Sequence, residues 1–145
     1  MKNFLIWIVI IVILFAGSIW WSKSLQRNDA SSSSNKIVAV KGLHWHPELE
    51  IYVDGEKIEI PQNKGIESLP HSPIHTHDDL PIIHLEFGSL VREDDLRLGK
   101  FFEVWGKDFR GFGANVTMTI NGAENAEFEN YLMQDGDKII LRYSN

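Results

Sequence analysis

The sequence predicts an α+β domain, a small mixed β-sheet with one packed helix, preceded by a single N-terminal transmembrane helix. Three observations carry that expectation. Residues 4–21 are uncharged and mostly apolar, residues 43–53 and 83–87 alternate apolar with polar side chains, and Leu98, Phe101, Phe102 and Trp105 follow the i, i+3, i+4, i+7 spacing of one helix face.

The run from Phe4 to Trp21 holds no charge. Its eighteen residues make roughly 27 Å of helix, close to the ~30 Å hydrocarbon thickness of a bilayer. Trp7, Trp20 and Trp21 sit toward its ends, at the level where amphipathic rings favour the headgroups. A cleaved signal peptide is the competing reading, since Lys2 and Ala16-Gly17-Ser18 fit one. The run is long for a signal core, and a cut there leaves Ile19-Trp20-Trp21 at the new terminus, so residues 1–21 are read as an uncleaved anchor in the lipid bilayer. Lys2 with the amino terminus nearly balances Lys23 with Arg27, so charge does not choose an orientation. A short tail before one early span is the usual arrangement of an exported, anchored domain. The expectation is a single-pass protein of the cell membrane with its domain on the extracytoplasmic side.

Residues 22–36 are polar and serine-rich, with Ser31 to Ser34 unbroken, and are read as a flexible linker to a domain over 37–145. Of the 14 basic and 20 acidic residues, Lys2, Lys23, Arg27, Lys36 and Asp29 precede residue 37, which leaves the domain 10 basic and 19 acidic residues, a balance of −9. That excludes nucleic acid as an expected partner and favours cations. The chain has no cysteine, which agrees with an oxidising compartment and removes thiolate ligands.

Within the domain, Leu43, Trp45, Pro47, Leu49, Ile51 and Val53 alternate with His44, His46, Glu48, Glu50 and Tyr52, which predicts one long strand. Asp54-Gly55 turns it into a hairpin whose return ends at Pro61. Residues 61–81 contain four prolines and are read as an irregular connection, and Ile83, Leu85 and Phe87 mark the next strand. Asp94 or Asp95 is placed to cap the helix and Gly106 to end it. Val116 to Ile120, the Asn121-Gly122 turn and Lys138 to Tyr143 complete the strands. This order suggests a β-grasp-like roll, with a small β-sandwich as the alternative.

All six histidines lie between residues 44 and 84, in the pairs His44-Trp45-His46 and His75-Thr76-His77 with His71 and His84. A His-x-His pair on a strand puts both imidazoles on one side, about 6.5–7 Å apart at Cα, so that two nitrogens reach one ion at about 2.0–2.1 Å. The apolar positions of both clear strands are odd-numbered, so His44, His46, His84 and Glu86 share the face away from the core. If those strands are neighbours, three imidazoles converge. His75 and His77 sit on the proline-stiffened connection beside Asp78 and Asp79. The predicted metal ligands are therefore His44, His46, His75, His77 and His84, with Asp78 and Glu86 as supporting carboxylates and His71 as an ordinary loop residue. An all-imidazole site suits a copper ion first and a zinc ion second, since no methionine lies near the cluster.

The strings His44-Trp45-His46-Pro47-Glu48-Leu49-Glu50-Ile51-Tyr52-Val53-Asp54-Gly55, Pro73-Ile74-His75-Thr76-His77-Asp78, Ile82-Ile83-His84-Leu85-Glu86 and Leu98-Gly99-Lys100-Phe101-Phe102-Glu103-Val104-Trp105-Gly106 resemble a group of exported or membrane-anchored proteins of bacteria and archaea. The resemblance spans about residues 42–143. It implies an extracytoplasmic location and one small α+β domain, and no particular activity.

Three functions fit these residues. The first is a metal-binding protein that holds, delivers or senses copper or zinc. The second is a His-ligated zinc hydrolase or hydratase, with Glu86 or Asp78 as proton acceptor. The third is an accessory subunit of a membrane complex. No nucleophile or oxyanion-hole motif supports the enzyme, so binding is the favoured reading.

Overall fold

A computed structural model describes residues 36–145; the predicted span at 4–21 and the linker up to residue 35 lie outside the described residues. Among the described residues no helix is long and apolar enough to cross a membrane. They form a mixed, β-rich domain of three sheets with one short helix.

The central strand is β10 (Lys138–Ser144), whose Ile139, Leu141 and Tyr143 are buried while Lys138, Arg142 and Ser144 face solvent. It runs parallel to β3 (Glu48–Val53) and antiparallel to β8 (Asn115–Ile120). The hairpin partners β4 (Glu56–Ile58) and β9 (Ala123–Asn125) complete a five-stranded sheet in the order β4-β3-β10-β8-β9. Both hairpins turn where expected, with positive φ at Asp54 and Gly55 and at Asn121 and Gly122.

A second sheet carries the histidines. Strand β2 (Leu43–Trp45) pairs with β6 (His84–Phe87), which also pairs with β5 (Ile74–His75), all antiparallel. The third sheet joins β1 (Ile37–Ala39) to β7 (Val91–Arg92), a pairing with no sequence signal. The expected single sheet is thus three. The expected single strand over 43–53 is likewise two, divided at His46-Pro47 between two sheets. Pro47 has no N–H to extend a ladder, yet its carbonyl still accepts from the Ile83 N–H at 2.8 Å. Two residues on, the Leu49 N–H donates to the Pro81 carbonyl while Leu49 itself lies opposite Ile139 of β10.

Helix α1 (Leu98–Trp105) buries Leu98, Phe101, Phe102 and Trp105 as its spacing predicts, and Gly106 ends it in the left-handed region at φ 73°. Phe102 meets Phe109 with ring centroids 5.0 Å apart, and Phe112 meets Tyr143 of β10 at 5.4 Å, so an aromatic cluster ties the helix to the central sheet. The helix start differs from expectation. Asp95 accepts from the Arg92 N–H at 2.8 Å and so closes a separate 3-10 turn at Glu93–Leu96, and α1 begins only after extended Arg97. Gly99 sits under the Glu129 carbonyl, where a Cβ would approach to 3.0 Å, so the missing side chain admits this neighbour.

Candidate metal centre

In each His-x-His stretch the middle residue belongs to the fold and the histidines are left to face the site. Trp45 packs against the hydrophobic core from β2. Thr76 is fully buried, its hydroxyl donates to the Pro61 carbonyl at 2.9 Å and accepts from the Lys64 N–H at 3.1 Å, and its own N–H donates to the Lys64 carbonyl. The expected irregular connection is therefore pinned, and β5 lies inside it. Register then does the assembly. His75 stands opposite His84 on one side of β6, and His44 stands opposite Glu86 on the other.

Five of the six histidines form one continuous group of rings. His46 lies 5.1 Å, His77 4.7 Å and His75 5.5 Å from His84 between centroids, and His44 lies 4.6 Å from His46. Their nitrogens make two sets, His44/His46/His84 and His75/His77/His84, and within each set the ligand atoms lie within 4.8 Å of one another. Either trio could hold a metal ion. The Nε2 atoms of His75 and His77 are 3.2 Å apart, against the roughly 3.4 Å expected for two nitrogens bound tetrahedrally to one zinc-sized ion.

Hydrogen bonds orient the two most buried rings. Nδ1 of His75 lies 3.0 Å from the Ser72 carbonyl, which can only accept, so Nδ1 carries the proton and Nε2 presents its lone pair. Burial pushes the His75 pKa below its ordinary value, against the opposing pull of that carbonyl and of Glu86, and so keeps the ring neutral. His84 is held from the other end, its Nε2 lying 3.1 Å from both Asp79 oxygens. Burial alone would raise the Asp79 pKa, but the hydrogen bond with His84 holds the carboxyl below its ordinary value. The same logic leaves Nδ1 of His84 with a lone pair. That atom is buried with no hydrogen-bond partner among the described residues, a costly arrangement for a polar nitrogen unless something electropositive meets it.

Carboxylates surround the rings. Glu86 places Oε1 3.0 Å from His44 Nε2 and 3.8 Å from His84 Nδ1, and Oε2 3.9 Å from His75 Nε2. Asp135, from the turn before β10, accepts from the His46 N–H at 2.8 Å and lies 3.7 Å from its Nδ1. The expected role of Asp78 falls instead to its neighbour Asp79, because it is Asp79 that reaches His84. Asp135 carried no sequence signal, being 89 residues from its partner. His71, read as a loop residue, lines a cavity of about 250 Å³ together with His75, His77 and Glu86, though it belongs to neither trio. The centre grades from buried to open, with side-chain exposure of 11% at His84, 44% at Glu86 and 62% at His44.

Fold and site define a small β-rich domain that carries a multi-histidine candidate metal centre. The chain matches no family model, no curated protein and no solved structure.

Proposed function

We propose that this chain is a membrane-anchored, extracytoplasmic metal-binding protein whose histidine centre holds Cu(II), with Zn(II) next, and delivers or senses it at the membrane surface. The observation that carries this reading is the convergence of four imidazoles on a fifth, His84, whose buried Nδ1 has no hydrogen-bond partner among the described residues. Copper comes first because a nitrogen-rich site without thiolate or thioether follows the Irving-Williams order. Met118 and Met133 are buried in the core and offer no sulfur to the site. Delivery or sensing, rather than permanent structural binding, fits the exposure of the His44 and Glu86 side of the centre, through which an ion can exchange. The acidic balance of the domain raises the local concentration of cations. The uncharged run at 4–21, the serine-rich linker and the resemblance to exported proteins support an anchor with the domain outside the cytoplasm.

The test is equilibrium dialysis of the full chain, in mild detergent, against Cu(II) and separately against Zn(II), followed by metal analysis. At least one Cu(II) per chain, a nitrogen-rich EPR spectrum and displacement of bound Zn(II) by Cu(II) are expected. Failure to retain either metal would overturn the reading.

A further inference from the structure

Resting on that metal-binding reading, the geometry points to two ions rather than one, with the imidazole of His84 bridging them through both ring nitrogens. The five histidines do not form one set of mutually close nitrogens; they form two trios, and His84 is the member they share. One ion must keep its nitrogens at about 2.0–2.1 Å and therefore within about 4.2 Å of each other, so it takes one trio and leaves the other pair of imidazoles idle. An imidazole has two ring nitrogens, and those of His84 face different surroundings.

Nδ1 is the buried atom without a hydrogen-bond partner among the described residues, and it lies on the side of Glu86 Oε1, which is itself 3.0 Å from His44 Nε2. It is assigned to the ion of His44 and His46. Nε2 points at Asp79, away from the Glu86 side, and is assigned to the ion of His75 and His77, the other pair that shares His84. Glu86 lies between the two sets, Oε1 3.0 Å from His44 Nε2 and Oε2 3.9 Å from His75 Nε2, and so supplies negative charge to both positions.

Charge agrees with the count. When the second ion binds, the proton on His84 Nε2 leaves to solvent and the ring becomes an imidazolate with one negative charge. Among the contacts of the described residues, the carboxylates touching the five rings are Asp79, Glu86 and Asp135. Three carboxylates and one imidazolate match two divalent cations. A single ion leaves this centre with net negative charge.

The experiment is a Cu(II) titration of the full chain in detergent, read by metal analysis and by EPR spin counting on the same samples. Two Cu(II) per chain are expected, with a double-integrated signal far below two spins and a half-field transition, because an imidazolate couples the ions antiferromagnetically. His44→Ala and His77→Ala, both away from the hydrophobic core, are each expected to lower the stoichiometry from two to one and restore a full single-copper signal. One Cu(II) per chain with full spin in the unaltered protein would overturn the bridged pair and leave the metal-binding function standing. Two magnetically independent ions would overturn the bridge. No bound copper at all would overturn the function itself, so the two failures are distinguishable.

Discussion

Replacing His84 removes a nitrogen from both trios at once, whereas His71 belongs to neither although it lines the adjoining cavity. His84→Ala is therefore expected to weaken Cu(II) binding more than the loss of any outer partner, and His71→Ala to leave it within about twofold. Asp79→Ala keeps all five imidazoles but removes the carboxylate that orients His84, which should cost about 10–100-fold in affinity, as losses of such outer partners do. Competition against a calibrated copper chelator ranks the three variants. If the His71 variant lost as much as the His84 variant, the assignment of ligands would be wrong. At this scale the sequence was informative because ligand chemistry is local. Imidazoles two positions apart on a strand must share a face, and that much is legible in His44-Trp45-His46 without a structure. Which carboxylate meets which ring is not legible, since Asp78 and Asp79 are adjacent and only the bend of the chain before β6 presents Asp79 to His84.

Between elements, the site depends on β2 staying paired to β6. The chain enters β2 through Gly42, at φ 95°, where an added Cβ would lie 2.4 Å from the Phe87 carbonyl at the end of β6. Left-handed backbone and a contact that close both exclude a side chain. Gly42→Ala is expected to cost about 1–3 kcal/mol of stability and to draw His44 and His46 away from His84. Thermal melts would show the first effect, and a loss of Cu(II) uptake confined to one ion would show the second. The alternating pattern over 43–53 predicted the strand phase correctly and its continuity wrongly. Period two survives the break at His46-Pro47, because the antiparallel register with the β6 segment runs on past it to the Glu48–Ile82 bridge while Glu48 also begins a ladder against Lys138. The pattern reports which side of the chain faces apolar matter, and it is silent about which strand lies alongside.

At the scale of the molecule, two buried tyrosine phenols, Tyr131 and Tyr143, are expected to set the response to alkali. Tyr131 donates to Asp137 at 2.7 Å and Tyr143 donates to the Phe109 carbonyl at 2.8 Å. Burial pushes both pKa values well above the ordinary tyrosine range. A pKa raised in the folded state contributes stability that is fully present below the unfolded value of about 10 and is lost as pH rises beyond it toward the folded value. Urea midpoints are expected to hold steady up to pH ~9.5 and then to fall. Tyr131→Phe and Tyr143→Phe should each flatten that fall, at a cost near neutral pH of about 1 kcal/mol for the lost hydrogen bond. An unchanged alkaline slope in the double variant would remove the phenols from the explanation.

The sequence by itself determined the features that rest on neighbours along the chain. These are the phase that sets His44, His46 and His84 opposite the core, the helix stripe of Leu98, Phe101, Phe102 and Trp105, and the turns at Asp54-Gly55 and Asn121-Gly122. Each follows from backbone geometry repeating over two to four residues. Only the tertiary structure decided that β5 lies inside the proline-rich connection and sets His75 against His84, that the strands divide among three sheets, and that Asp135 arrives from 89 residues away beside His46. Strand partners are chosen by the packing of surfaces far apart in the chain. A local period tells a side chain which way to face but not what it will meet there.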